Sequence, residues 1–229
     1  SSYRNDQVEI RLLNLITKQD QALISDGTVN VEPRWSPDGT KIIFVSTKFK
    51  GRFHIFMTEI VNGKPKNILQ ITEDNHCMLS RYYYSVFDQY ISPSWSPDGK
   101  EIIFISNKNH IWGSGGFWKM EAKPGAVPQE IRYEETTWKA RPDWSPDGKR
   151  VVYSSYLGKQ WNQIWLMTSE GGDPIQLTYG EFDSVSPRWS PDGRKISYIS
   201  NEKGNTSLWV MDIPGGKKIN LTAKKHKYM

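Results

Sequence analysis

The chain has 229 residues, a formal net charge of +5 and a single cysteine, Cys77. One cysteine excludes an intrachain disulfide framework. The basic residues are scattered through the turns, save for Lys224 to Lys227, and no apolar run reaches membrane-spanning length, so neither a nucleic-acid partner nor membrane insertion is expected.

Two short apolar segments open the chain, Glu9 to Asn14 and Gln21 to Ser25. The pentapeptide Trp-Ser-Pro-Asp-Gly then occurs four times, at Trp35 to Gly39, Trp95 to Gly99, Trp144 to Gly148 and Trp189 to Gly193. An apolar β-prone run follows each copy: Lys41 to Ser46, Glu101 to Ser106, Arg150 to Ser155 and Lys195 to Ser200. The motif carries turn chemistry. Proline presets φ at the second position of a type I turn, Ser and Asp bond local backbone, and Gly accepts positive φ. A type I turn followed by a left-handed residue makes a tight hairpin. Asp38, Asp98, Asp147 and Asp192 are therefore expected to shape turns rather than act as acids or ligands. The four motif Trp residues are expected in the core.

Each repeat continues with a third and a fourth strand. These are His54 to Thr58 and Asn67 to Thr72, Gly116 to Met120 and Gln129 to Tyr133, Gln163 to Thr168 and Pro174 to Thr178, and Ser207 to Asp212 and Lys217 to Thr222. Successive motif Trp residues stand 60, 49 and 45 positions apart. Four short antiparallel strands repeated at this period describe a β-propeller. The fold class is all-β, a single propeller over 1–229. It comprises an outer half-blade at 7–26 and blades at 31–72, 91–136, 138–178 and 185–222, with an insertion at 73–90. Four blades and a half-blade do not close a ring by this pattern. Either the chain is part of a longer propeller, or Ala223 to Met229 supplies a strand; the first is expected, with self-association through the open side.

The motif, the Ile-Trp-x-Met-Thr strand at Ile164 to Thr168 with its counterpart Leu208 to Asp212, and the Gly-Gly turns before Leu177-Thr178 and Leu221-Thr222 closely resemble TolB-like β-propeller repeats. The resemblance covers Glu9 to Thr222. It implies protein-partner binding and a periplasmic or otherwise extracytoplasmic location. Similar repeats also form propeller domains of prolyl-oligopeptidase-type peptidases and accompany amidohydrolase-like enzymes. This sequence departs from the TolB pattern in having no segment that reads as a separate α/β domain, and from the peptidases in having no catalytic domain.

No catalytic constellation stands out, and no cofactor is expected. Gly113 to Gly116 reads as a flexible loop. The four histidines lack zinc-site spacing, although His76 and His110 can approach each other in space. The informative feature is the asymmetry between propeller faces. One carries short turns of Gly, Pro, Asp and Lys. The other carries long aromatic loops, and a rigid scaffold presenting aromatics beside arginine suits a protein or peptide partner. The candidate binding residues are Arg81, Tyr82, Tyr83, Tyr84 and Phe87 of the insertion, with Trp112, Trp138, Tyr156 and Trp161. Their alternative role is to cap the blade ends. The chain is thus expected to be a non-catalytic binding scaffold; the alternative is a propeller piece that gates or docks a hydrolase domain.

Overall fold

A computed structural model of the chain describes residues 1–4, 7–79, 81, 85–111, 113–134, 139–157, 160–213 and 216–222. The Trp-Ser-Pro-Asp-Gly turn closes the same way in all four copies. The Gly amide donates to the Ser carbonyl, Gly39 to Ser36 and its three counterparts, each at 2.9 Å. The Ser hydroxyl donates to the Asp carboxylate two residues on, at 2.5 Å for Ser36–Asp38 and 2.6 Å for Ser190–Asp192. It also accepts the amide that starts the next strand, Lys41 to Ser36 at 2.9 Å. These bonds stabilise the charged carboxylate, and the Ser hydroxyl is the largest cause that holds Asp38 down to about 2. The turn reading of the four Asp residues therefore has a local bond for every partner it requires.

The turns produce antiparallel meanders. The first sheet is β1 (Ser2–Arg4), β2 (Gln7–Leu13) and β3 (Asp20–Ile24); the second is β4 (Asn30–Trp35), β5 (Lys41–Ser46), β6 (His54–Val61) and β7 (Lys64–Gln70). The third is β8 (Tyr90–Trp95), β9 (Glu101–Ser106), β10 (Gly116–Glu121) and β11 (Gln129–Tyr133). The fourth is β12 (Lys139–Trp144), β13 (Arg150–Ser155), β14 (Gln163–Thr168) and β15 (Ile175–Gln176), and the last is β16 (Ser184–Trp189), β17 (Lys195–Ser200), β18 (Ser207–Asp212) and β19 (Lys218–Asn220). The first sheet thus has three strands where two were expected, because Ser2 to Arg4 pairs with β2. Ala223 to Met229, the candidate closing strand, lies outside the described residues.

Each sheet buries one face on its predecessor, so the core is serial. Ile43, Ile55 and Met57 meet Trp95, Ile102 and Phe104. Ile103, Ile105 and Phe117 meet Trp144, Val151 and Tyr153, and Val152, Ile164 and Leu166 meet Ile196, Tyr198 and Trp209. Ile10, Leu23 and Ile24 cover Ile42, Phe44 and Phe56. The second strands β5, β9 and β13 are buried on both faces, which explains their unbroken apolar runs, whereas β17 alternates and leaves Ile199 exposed. Trp35 corrects the expectation for the motif tryptophans. It is 46% exposed, against 7% for Trp95 and 9% for Trp144. A motif Trp packs toward the preceding sheet, as Trp95 does when its Nε1 donates to the Arg34 carbonyl at 3.1 Å. Trp35 faces the three-stranded sheet, which among the described residues has no inner strand to receive it.

Every inner strand is bulged at the same place. Glu32, Ser92, Arg141 and Ser186 have φ between 52° and 57°, each precedes a proline, and pairing with the second strand slips there. Proline donates no amide to a ladder, and a left-handed residue beside it re-aims the chain.

Candidate functional site

The loops between second and third strands and the links between sheets gather on one face, opposite the motif turns. The insertion there forms a short hairpin. Cys77 N donates to Val86 O at 2.7 Å and Asp88 N to Asn75 O at 2.9 Å, with His76 and Phe87 bridged. Its base is pinned by Arg81, whose Nη2 meets Asp88 Oδ1 at 2.6 Å with both side chains wholly buried. Arg81 also donates to the carbonyls of Asn107 (2.5 Å) and His110 (2.9 Å), clamping the hairpin to the loop after β9. Asn75 Nδ2 holds the other Asp88 oxygen at 2.5 Å. Arg81 thus faces inward, and its role is to hold the hairpin.

Phe87 lies with its ring 3.1 Å from the Arg52 guanidinium carbon and edge-on to His76. Arg52 in turn pairs with Asp74. The hairpin tip presents apolar side chains: Met78 is 91% exposed, Leu79 46% and Val86 45%. Tyr156 and Trp161 are half-buried in the loop after β13. Tyr82, Tyr83, Tyr84, Trp112 and Trp138 lie outside the described residues. His110 bonds Glu130 at 2.6 Å and stacks on Tyr133 at 3.9 Å, while His76 lies against Phe87, so the two histidines serve different neighbours. Among the described residues no group of three His, Cys, Asp or Glu is placed to hold a metal. The Gly113 to Gly116 segment is buried rather than loose; a Cβ on Gly115 would sit 2.0 Å from the Ser106 carbonyl oxygen.

The inner-strand bulges build a second constellation that sequence reasoning missed. They form two tiers about the axis, Glu32, Ser92, Arg141 and Ser186, then Arg34, Ser94, Asp143 and Arg188. In the first, Glu32 accepts the Ser92 amide at 2.6 Å and its hydroxyl at 3.2 Å, and Arg141 Nη1 reaches Ser186 Oγ at 3.1 Å. In the second, Asp143 Oδ2 accepts the Trp189 amide at 2.8 Å and Arg188 Nη1 stands 3.8 Å from Oδ1. Burial pushes Asp143 up to about 6, although the Trp189 amide and Arg34 act against it. Arg34 is different. Burial lowers its pKa, and its Nε is buried without a hydrogen-bond partner among the described residues. It lines a cavity of about 590 Å³ with Glu32, Arg141, Val31, Phe53 and Ile91. The sequence signal was the X-Pro-x-Trp that precedes each motif.

Five antiparallel sheets packed in series, with charged tiers on their inner strands and a long insertion on one face, define a propeller-type all-β fold. The comparisons place it further. The chain belongs to the TolB β-propeller family, whose domain model matches residues 85–227. No curated protein matches the chain in sequence. Among solved structures it is similar to TolB from Acinetobacter baumannii, at TM-score 0.71 and 22% identity over 92% of this chain and 48% of that one. It is also similar to a putative TolB from Agrobacterium tumefaciens, at TM-score 0.62 and 18% identity over 93% of this chain and 87% of that one. A Mycobacterium tuberculosis puromycin-hydrolyzing peptidase aligns at TM-score 0.63 and 13% identity, over 88% of this chain and 30% of that one. At these identities the likeness is one of fold, and the chain spans about half the length of the Acinetobacter protein.

Proposed function

We propose that this chain is a non-catalytic TolB-like propeller that docks a protein or peptide on its loop face, with the insertion hairpin at the centre of contact. The observation that carries this reading is the hairpin itself, with an apolar tip of Met78, Leu79 and Val86 held out by a wholly buried Arg81–Asp88 pair. Exposed apolar groups beside a base held by buried bonds favour interfaces. Tyr82, Tyr83 and Tyr84 belong to the same tip in sequence, and Trp112 to the neighbouring loop. An extracytoplasmic location goes with this reading by family likeness. A second reading, in which the propeller docks or gates a hydrolase domain, draws on the fold likeness to the puromycin-hydrolyzing peptidase.

The test is site-specific photocrosslinking in an extract of the native cell. A photoreactive residue at Met78 should trap a defined protein, whereas one at Val127, 87% exposed on the motif-turn face, should not. Equal trapping at both positions, or none at Met78, would remove the docking reading.

A further inference from the structure

We propose that the cavity between the inner strands binds a single carboxylate borne on an apolar body, such as the end of a peptide, with Arg34 taking the charge.

Three observations converge. The first is the unspent donor. Arg34 Nη1 reaches only the Pro33 carbonyl, at 3.4 Å, while Nε is buried with no acceptor among the described residues. A buried, unpaired guanidinium donor is costly, and a planar fork fits a carboxylate edge-on. Its equivalents on the other inner strands are occupied: Asp143 holds the Trp189 amide, and Arg188 Nη1 donates to Pro187 O at 2.7 Å and Arg141 O at 3.3 Å.

The second is the charge. Of the charged side chains that line the cavity, Arg34 and Arg141 stand against Glu32 alone, which favours an anion. Glu32 is committed to Ser92, and its Oε1 lies 3.9 Å from Arg141 Nε, so it does not neutralise Arg34 by direct contact. The third is shape. The cavity of about 590 Å³ is walled by Val31, Phe53 and Ile91 beside the guanidinium, which suits apolar side chains next to the charged end. This site uses residues other than the hairpin tip, so it stands or falls apart from the docking reading.

The probes are three N-acetylated apolar pentapeptides: one with a free C-terminal carboxylate, one amidated, and one amidated with a glutamate inside. Binding to the full chain is followed by calorimetry and by the Nε–Hε resonance of Arg34 in nitrogen-15 NMR. The free acid should bind and shift that resonance, the neutral amide should not, and Arg34→Gln should weaken binding at least about tenfold. Asp143→Asn, which removes a competing negative charge, should strengthen binding. Binding of the glutamate amide but not the free acid would assign the charge to a side chain and still support the site. The proposal is overturned if all three peptides bind alike, if none binds at about 1 mM, or if Arg34→Gln binds as the parent does. Should Arg34→Gln prove unstable, an unmoved Arg34 resonance in the parent protein overturns it equally.

Discussion

Arg81→Met tests how the insertion is held. In the native chain the guanidinium and the Asp88 carboxylate are both wholly shielded from solvent, 2.6 Å apart. The same guanidinium serves the carbonyls of Asn107, His110 and Ser85, at 2.5, 2.9 and 3.3 Å. Methionine fills part of the volume but leaves Asp88 as a buried anion with Asn75 as its remaining side-chain donor. Removing one partner of a buried pair costs about 3–5 kcal/mol, most of it from the stranded charge. In a chain of this size each kcal/mol moves the melting midpoint by roughly 2–4 °C. Urea unfolding should therefore show a loss of about 3–5 kcal/mol, and the amides of Cys77 and Asp88 should lose exchange protection before those of β9. The double variant Arg81→Met with Asp88→Leu removes the stranded charge and should recover more than half of the loss. An Arg81→Met protein with parental midpoint and parental protection of both amides would refute the clamp.

Three further outcomes follow from the packing and the charges. Trp144→Ala should cost about 3–5 kcal/mol, as truncation of a large buried aromatic does, whereas Trp35→Ala should cost well under half of that because its ring is 46% exposed; equal losses would contradict the serial packing. Asp143, raised to about 6, stabilises the fold below the ordinary carboxylate range and loses that contribution as pH rises through about 6. Asp143→Asn should flatten this part of the stability–pH curve and add up to about 3 kcal/mol near pH 7.5, and an unchanged curve would sink the assignment. Gly115→Ala should destabilise by more than about 2 kcal/mol, since φ is +86° and the new Cβ meets the Ser106 carbonyl; a melt like the parent's would restore the loose-loop reading.

The sequence by itself determined the repeat, its turn and the order of the strands. Those features rest on bonds that span a few residues, such as Ser36 to Asp38 and Lys41 to Ser36, and a periodic motif exposes such chemistry directly. The site was less legible. The neighbouring aromatics mark Arg81 and Phe87 as contact residues, yet Arg81 is buried because its partners, Asp88 and two carbonyls of another loop, come together only when the hairpin folds back. The exposure of Trp35 equally depends on what the sheet before it offers. The charged tiers were invisible for a related reason. Glu32 meets Ser92 across 60 positions and Asp143 meets Trp189 across 46, so these contacts have no local signature. What tertiary structure decided is which charges face one another across blades, because stacking sheets of near-equal period brings the same bulged position of each repeat to the axis, where pairing or the lack of it falls to residues from different repeats.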